Sequence, residues 1–159
     1  MCGRRWNIEL NETGIAQAQV ARDLLAREPD LGTMHVSSMI RTRQTAQILN
    51  EPLNLPITFH EALEEWDVGE WDHCLWLDVK DKFLSDGEPP GGEMRREFQK
   101  RVMSVLTRCE KSDSNAVLVG HGGVWGVIQQ SLQIEPIRAE NGAIISCIRR
   151  SSGWEAKQL

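Results

Sequence analysis

The stretch Val117–Trp125, VLVGHGGVW, ends an apolar run on a single histidine set among three glycines. A continuous apolar run is typical of a strand that is covered on both faces, as in a parallel sheet. Gly120 ends the run, and the residues from Val124 to Leu132 predict a helix directly after it. Open α/β folds are built from such strand and helix pairs, and they bind ligands at the carboxyl ends of their strands. The stretch therefore predicts a fold class and the sheet edge at which a site would lie.

The rest of the chain alternates short strand candidates with amphipathic helix candidates, which favours an α/β sandwich with parallel strands. The predicted helices cover residues 14–27, 39–49, 94–109 and 124–132. Asn11 or Thr13 would cap the first helix, and Ser37 or Ser38 the second. The apolar face of the third helix would consist of Met94, Phe98, Val102 and Val105. The predicted strands cover 33–36, 57–59, 117–119 and a closing hairpin at 143–150 and 154–158. Between residues 63 and 76, tryptophans recur five apart, which fits neither period and predicts an ordered loop.

Composition predicts one soluble cytoplasmic domain over residues 1–159. The chain is 40% hydrophobic and 26% charged, and its net charge of -5 with scattered basic residues argues against a nucleic-acid partner. The four cysteines form no C-x-x-C pair, which argues against a disulfide framework or a zinc site. No apolar run approaches the roughly 20 residues that span a bilayer, so no membrane partner is expected.

Arg41 is the first candidate for a ligand-binding residue. If Ser37 or Ser38 caps the second helix, Arg41 and Arg43 lie in its first turn, where the helix dipole disfavours a cation by about 0.3–1 kcal/mol. A bound anion would offset that cost, because free backbone N–H groups and a guanidinium both suit phosphate oxygens. The alternative is that both arginines reach solvent or a carboxylate, which is the commoner outcome for an isolated arginine.

His121 and Glu65 are the other two candidates. A lone histidine beside apolar residues is most often a core residue bonded to a carbonyl, but the surrounding glycines let a ligand approach the backbone, and an imidazole there can donate to an oxyanion. Glu65 precedes Trp66, and a carboxyl against tryptophan tends to have a raised pKa, as a proton donor requires. A solvated loop glutamate is the equally open alternative.

Two other enzyme classes fail on missing motifs. The segment HGG also occurs in the oxyanion loop of some esterases, but those enzymes need a G-x-S-x-G nucleophile elbow, which this sequence lacks. The sequence also lacks the G-x-x-x-x-G-K-[ST] of a phosphate-binding P-loop. Neither the esterase nor the P-loop interpretation is therefore retained.

The chain resembles the histidine phosphatase superfamily, the phosphoglycerate-mutase-like family, over nearly its whole length. The matching segments, in the family's order, are LNETGIAQAQ (Leu10–Gln19), SSMIRTRQTAQIL (Ser37–Leu49), LEEWDVGEW (Leu63–Trp71), PPGGE (Pro89–Glu93) and VLVGHGG (Val117–Gly123). Each segment alone is weak evidence for the family, but the five segments together are specific to it. The resemblance implies a three-layer α/β/α sandwich with a mostly parallel sheet whose first strand is missing here.

The resemblance also implies a phosphomonoester hydrolase that acts on a small phosphorylated substrate and needs no metal or other cofactor. Arg41 would bind phosphate, His121 would be the second histidine of the phosphate pocket, and Glu65 would protonate the leaving oxygen. The backbone of Gly3 and Gly122 would approach the substrate. The short region after Glu65 leaves little room for an insertion over the site, which favours a phosphatase over a mutase.

The family's nucleophile is a different histidine, in an Arg-His-Gly motif after the first strand. The sequence contains no Arg-His-Gly, and His35, His60 and His73 lie in contexts that predict structural or surface roles. We therefore expect an N-terminally truncated domain, with Met1 an internal methionine of a longer parent, that is unstable unless something fills the missing strand's place. Such a chain would be impaired or inactive as an enzyme. A non-catalytic phosphate-recognising module and a phosphoglycerate mutase are the alternatives; the substrate and the oligomeric state stay open.

Overall fold

Helices and strands alternate along the computed structural model, which describes residues 3–85, 87–110 and 115–159. Within these ranges the helices are α1 (Glu12–Leu25), α2 (Ile40–Asn50), α3 (Trp76–Leu84), α4 (Arg95–Cys109) and α5 (Gly122–Ser131). The strands are β1 (Leu31–Ser37), β2 (Ile57–His60), β3 (Asn115–Val119), β4 (Ile145–Arg150) and β5 (Gly153–Gln158). Single 3-10 turns at Glu61–Leu63 and Gly69–Trp71 lie between β2 and α3.

Three strands form a parallel sheet in the order β2-β1-β3. Val36 of β1 pairs with Phe59 on one side and with Val119 on the other. Strands β4 and β5 form an antiparallel hairpin that is a separate two-stranded sheet. The α/β class, the parallel pairing and the closing hairpin are as the sequence predicts, and the carboxyl ends of β1, β2 and β3 meet at one edge.

Helices cover both faces of the parallel sheet. On one face, Met34 and Val36 are fully buried with residues of α1 and α2. On the other face, a second cluster joins α4 and α5 to the segment between β2 and α3, and Leu118 of β3 packs against it. Burying a side chain of this size contributes about 1.5–3 kcal/mol. The two clusters fix the helices against the sheet and so fix the loops at its carboxyl edge.

Three local expectations about helix starts and faces are corrected or narrowed. Asn11 caps α1 by accepting the Gly14 N–H at 2.9 Å, so Thr13 is not the cap. Helix α2 follows Met39 without a side-chain cap, because the hydroxyls of Ser37 and Ser38 contact other groups. Met94 is 61% exposed and lies before α4, whereas the other predicted apolar-face residues of α4 are buried: Phe98, Val102 and Val105.

The segment after Leu63 is ordered, as predicted, but ends in a helix that the sequence pattern does not show. Trp66 and Trp71 are buried in the core. The pattern misses helix α3 because two apolar residues at its start lie on the surface: Leu75 at its cap and Leu77 in its first turn are each 71% exposed.

Two further observations concern the cysteine thiols and the lengths of the apolar helices. Cys74, Cys109 and Cys147 form no disulfide bond with one another, and Cys2 lies outside the described residues. Across residues 3–85, 87–110 and 115–159, no helix has the length and apolarity to cross a bilayer.

Candidate active site

Each strand of the parallel sheet is followed by one of the three predicted catalytic residues. Arg41 is the second residue of α2, just after β1. Glu65 follows β2 and the first 3-10 turn, and His121 lies between β3 and α5. Because the parallel strands end at the same edge, these three loops are neighbours. The structure therefore brings together residues that are far apart in sequence.

The side chain of His121 contacts β1, the central strand of the sheet. Its Nε2 lies 2.8 Å from the Oγ of Ser37, the last residue of β1, which is 0% exposed. Burial and the positive charges of Arg41 and Arg101 lower the pKa of His121 to about 3. The imidazole is therefore neutral at physiological pH, with one ring nitrogen able to donate and the other to accept.

Glu65 points its carboxyl at the start of α5. One oxygen, Oε1, accepts the Trp66 N–H at 2.8 Å, and Oε2 accepts the Gly123 N–H at 3.1 Å. Burial raises the pKa of Glu65, although these two bonds and the charges of Arg41 and Arg101 oppose the rise. A raised pKa for Glu65 agrees with the sequence expectation, but its main cause is burial of the carboxyl. The contact with Trp66 is a hydrogen bond from the backbone N–H, and it lowers the pKa.

Arg41 lies beneath the amino-terminal segment of the described chain. Its Nη1 donates to the carbonyl oxygen of Trp6 at 2.7 Å, and the N–H of Ile40 donates to Oδ1 of Asn7 at 2.7 Å. The charge of Arg41 acts on both Glu65 and His121, which places all three in one electrostatic environment. Glu65 and His121 are partly shielded from water, so the charge of Arg41 acts on them more strongly than it would on exposed groups.

The two predicted backbone contacts differ in their surroundings. Gly3 is buried against the Trp66–Val68 segment, and its N–H donates to Oδ1 of Asp72 at 2.8 Å. That N–H is engaged within the protein, so a role of Gly3 in binding substrate stays a prediction. Gly122 is exposed at the first position of α5, beside His121, with open space around its Cα.

Three residues that the sequence analysis does not assign to the site contact its members. They are Ser37, which contacts His121, Gly123, which binds Glu65, and Arg101 of α4. Arg101 donates to the carbonyl oxygens of Ala62, Glu64 and Glu65 and, through two nitrogens, to the carboxylate of Glu93. Arg101 lies on the same face of α4 as the buried residues Phe98 and Val105. A charged residue in an apolar stripe is the sequence feature that could have indicated a buried role for Arg101.

Comparison with known proteins shows the family to which the chain belongs. The family profile described as "Histidine phosphatase superfamily (branch 1)" matches residues 1–157. The chain belongs to the histidine phosphatase superfamily. Members of this superfamily are phosphatases or mutases.

Among curated members of the superfamily, "Probable phosphoglycerate mutase GpmB" of Salmonella paratyphi C is 28% identical over 157 residues, covering 86% of this chain and 73% of that protein. Among solved structures, TTHB049 from Thermus thermophilus superposes with a TM-score of 0.71 at 28% identity, covering 90% of this chain and 80% of that one. A mycobacterial glucosyl-3-phosphoglycerate phosphatase gives 0.69 at 25% identity over 83% and 70%. The putative alpha-ribazole-5'-P phosphatase of Escherichia coli K-12 gives 0.79 at 21% identity over 100% and 86%, which shows the shared fold.

The other histidines of this superfamily member have local partners. Nδ1 of His35 lies 2.9 Å from Nε2 of His60 across β1 and β2, and burial is the main cause that lowers the pKa of each. The ring of His73 lies 4.2 Å from the ring of Trp6. These placements fit the structural and surface roles predicted for the three residues.

Proposed function

We propose that the edge formed by Arg41, Glu65 and His121 is a phosphomonoester hydrolase site of the histidine phosphatase type. The observation that carries the proposal is the convergence of these three residues from the loops after β1, β2 and β3. Arg41 binds phosphoryl oxygens, neutral His121 donates a hydrogen bond to one of them, and Glu65 supplies a proton to the leaving oxygen.

Electrostatics support phosphoryl binding at this edge. Two of the three causes that lower the pKa of His121 are the positive charges of Arg41 and Arg101. An arriving phosphoryl group carries the opposite charge and is stabilised where those cations disfavour a further proton. The first-turn position of Arg41 in α2 adds the positive end of a helix dipole.

Glu65 supports the acid role because its carboxyl holds a proton more readily than an exposed glutamate does. Burial is the main cause of its raised pKa. The neighbouring Glu64 has a different setting, bound by Arg4 and Ser38, and no such role is proposed for it. A proton on Glu65 passes to the ester oxygen as the P–O bond breaks, which avoids release of an alkoxide.

Turnover through a phosphohistidine requires a second imidazole. In that chemistry an imidazole nitrogen forms a bond to phosphorus while the ester P–O bond breaks and the leaving oxygen takes the proton from Glu65. Water then attacks phosphorus and gives a proton to the Glu65 carboxylate, the N–P bond breaks, and inorganic phosphate and free imidazole result. His121 lies with Arg41 and Glu65, and none of the four histidines in the sequence stands in an Arg-His-Gly motif. We therefore propose that residues 1–159 alone are impaired in turnover and that a longer form supplying an imidazole is active.

The proposed substrate is a phosphomonoester of a small metabolite. The named relatives include a phosphoglycerate mutase, a glucosyl-3-phosphoglycerate phosphatase and an alpha-ribazole-5'-P phosphatase, which share a phosphomonoester but differ in the organic group. The shared chemistry fits the residues that converge here. The organic group and the cytoplasmic location stay predictions.

Phosphate binding is the first test. Inorganic phosphate is titrated calorimetrically into residues 1–159 and into the variants Arg41→Lys, His121→Gln and Arg43→Lys. Arg43 is the matched control because it lies two residues from Arg41 but is exposed and stacks over Phe59. The first two variants should weaken binding about tenfold or more, since each loses a hydrogen bond to a charged group. Equal affinity in all four proteins would refute the assignment of the site.

Turnover of p-nitrophenyl phosphate separates the candidate functions. Phosphate binding without turnover by residues 1–159, and turnover by a longer form that Glu65→Gln slows, is the expected result. Binding without turnover in every form would instead favour a phosphate-recognising module, which the presence of the binding residues also supports. Full activity in both Glu65→Gln and His121→Ala would contradict the proposed roles.

A further inference from the structure

The second residue of α5, Gly123, has an unusual neighbour. Its N–H donates to Oε2 of Glu65 at 3.1 Å. A Cβ built on Gly123 would overlap Oε1 of Glu65 and would lie 3.1 Å from Cδ of the same side chain. The Glu65 carboxyl therefore occupies the space that any side chain at position 123 would need.

Other glycines of α5 lack this constraint. A Cβ on Gly122 or on Gly126 meets no atom within 4 Å. The backbone of Gly123 does not require glycine either, because the residue is helical and is not among the positive-φ residues. The three atoms nearest to a Cβ at position 123 all belong to the Glu65 carboxyl.

The carboxyl cannot retreat freely from position 123. Its Oε1 accepts the N–H of Trp66, and Arg101 donates to the backbone carbonyl oxygens of both Glu64 and Glu65. The ring of Trp66 is buried in the core, which fixes this segment further. An added methyl group must therefore displace the carboxyl or push α5 outward.

We propose that Gly123 is the positioning residue of the Glu65 carboxyl: its N–H fixes one oxygen, and its missing side chain leaves the space in which the carboxyl lies, beside the backbone two residues after His121. The inference rests on the acid role proposed for Glu65 and adds the residue that fixes the orientation of its carboxyl. A carboxyl displaced by about 1 Å loses the alignment that proton transfer to a leaving oxygen requires.

A double-mutant cycle tests the contact itself. Gly123→Ala, Glu65→Ala, the double variant and the control Gly126→Ala are compared by urea unfolding of the full 159-residue chain. Gly123→Ala should lower the ratio of folded to unfolded protein about tenfold with Glu65 present. With Glu65→Ala it should leave the ratio unchanged or raise it, because alanine favours helix. Gly126→Ala should raise the ratio with Glu65 present.

An equal loss from Gly123→Ala in both backgrounds would overturn the proposal. If Glu65→Ala proves too unstable to measure, Glu65→Asp serves as the second background, since its shorter side chain withdraws the carboxylate and should relieve most of the Gly123→Ala loss. No relief would count against the contact in the same way.

The pKa of Glu65 gives a readout that a merely structural role would not move. Measured by carbon-13 NMR of the side-chain carboxyl, it should fall toward the ordinary glutamate value in Gly123→Ala, because a displaced carboxyl is less buried. It should stay raised in Gly126→Ala. An unchanged pKa in Gly123→Ala would refute positioning. Since neither experiment needs a ligand, their failure is distinguishable from failure of the phosphate titration.

Discussion

Replacing Arg101 by lysine should destabilise the protein although the charge is kept. The guanidinium makes five hydrogen bonds, three to backbone carbonyls and two to Glu93. A lysine ammonium has three donors on one nitrogen and cannot span the carbonyl of Ala62, the carbonyl of Glu65 and both oxygens of Glu93. At least two bonds are therefore lost.

The magnitude follows from the burial of the partners. The side chains of Arg101 and Glu93 are only 17% and 14% exposed, so water replaces the lost bonds poorly. A hydrogen bond to a charged group contributes about 1.5–3 kcal/mol, and two lost bonds therefore cost roughly 3–6 kcal/mol. Because lysine keeps the charge opposite Glu93, we expect the lower end, about 3 kcal/mol.

Urea unfolding of Arg101→Lys and of Arg96→Lys is the assay. Arg96 lies on the same helix and is exposed, so it controls for the change of residue type. Its replacement should change the free energy of unfolding by less than about 0.5 kcal/mol. A loss in Arg101→Lys below about 1 kcal/mol, or equal to that of the control, would refute the reasoning that geometry rather than charge holds the Glu65 segment.

Further predictions concern pH, Ser37 and the tight turn at Gly69. The pKa of His121 is about 3 in the folded protein and 6.5 ordinarily, so between these pH values the unfolded chain binds a proton that the folded chain does not. The free energy of unfolding should therefore fall as pH drops from about 6.5 toward 3, by at most roughly 5 kcal/mol. His121→Gln should flatten this pH profile when it is measured by urea unfolding. Ser37→Ala should cost about 1 kcal/mol and shift the His121 imidazole NMR signals, whereas unchanged signals would contradict the contact. Gly69→Ala should lower the thermal midpoint much more than Gly91→Ala, because both have positive φ but only at Gly69 does a Cβ overlap the Pro90 carbonyl; equal shifts would refute this.

The features that sequence pattern predicts are those with a strong local signal. The apolar run before Gly120 indicates β3 and the start of α5, and its histidine is one of the residues that the sheet edge brings together. The cap at Asn11 follows from a preference that acts over three residues.

The features that pattern misses depend on partners far along the chain. Ser37 fits a helix cap by its position, yet its hydroxyl contacts an imidazole eighty-four positions away. Arg101 contacts carbonyls nearly forty positions away, and no local period reveals that. Helix α3 begins with two apolar residues that stay exposed, Leu75 and Leu77, and this obscures its helical period.

The central place of β1 also bears on how the chain acquires its structure. Its pairing with β2 joins segments about twenty residues apart, but its pairing with β3 joins Val36 to Val119. Closing so long a loop is slow compared with forming the β4–β5 hairpin, whose strands are adjacent. On a ribosome, Arg41 would emerge well before His121, so the sheet edge that carries both residues forms only after residue 121 has been synthesised. Until then, one edge of β1 is open to pairing with other nascent chains.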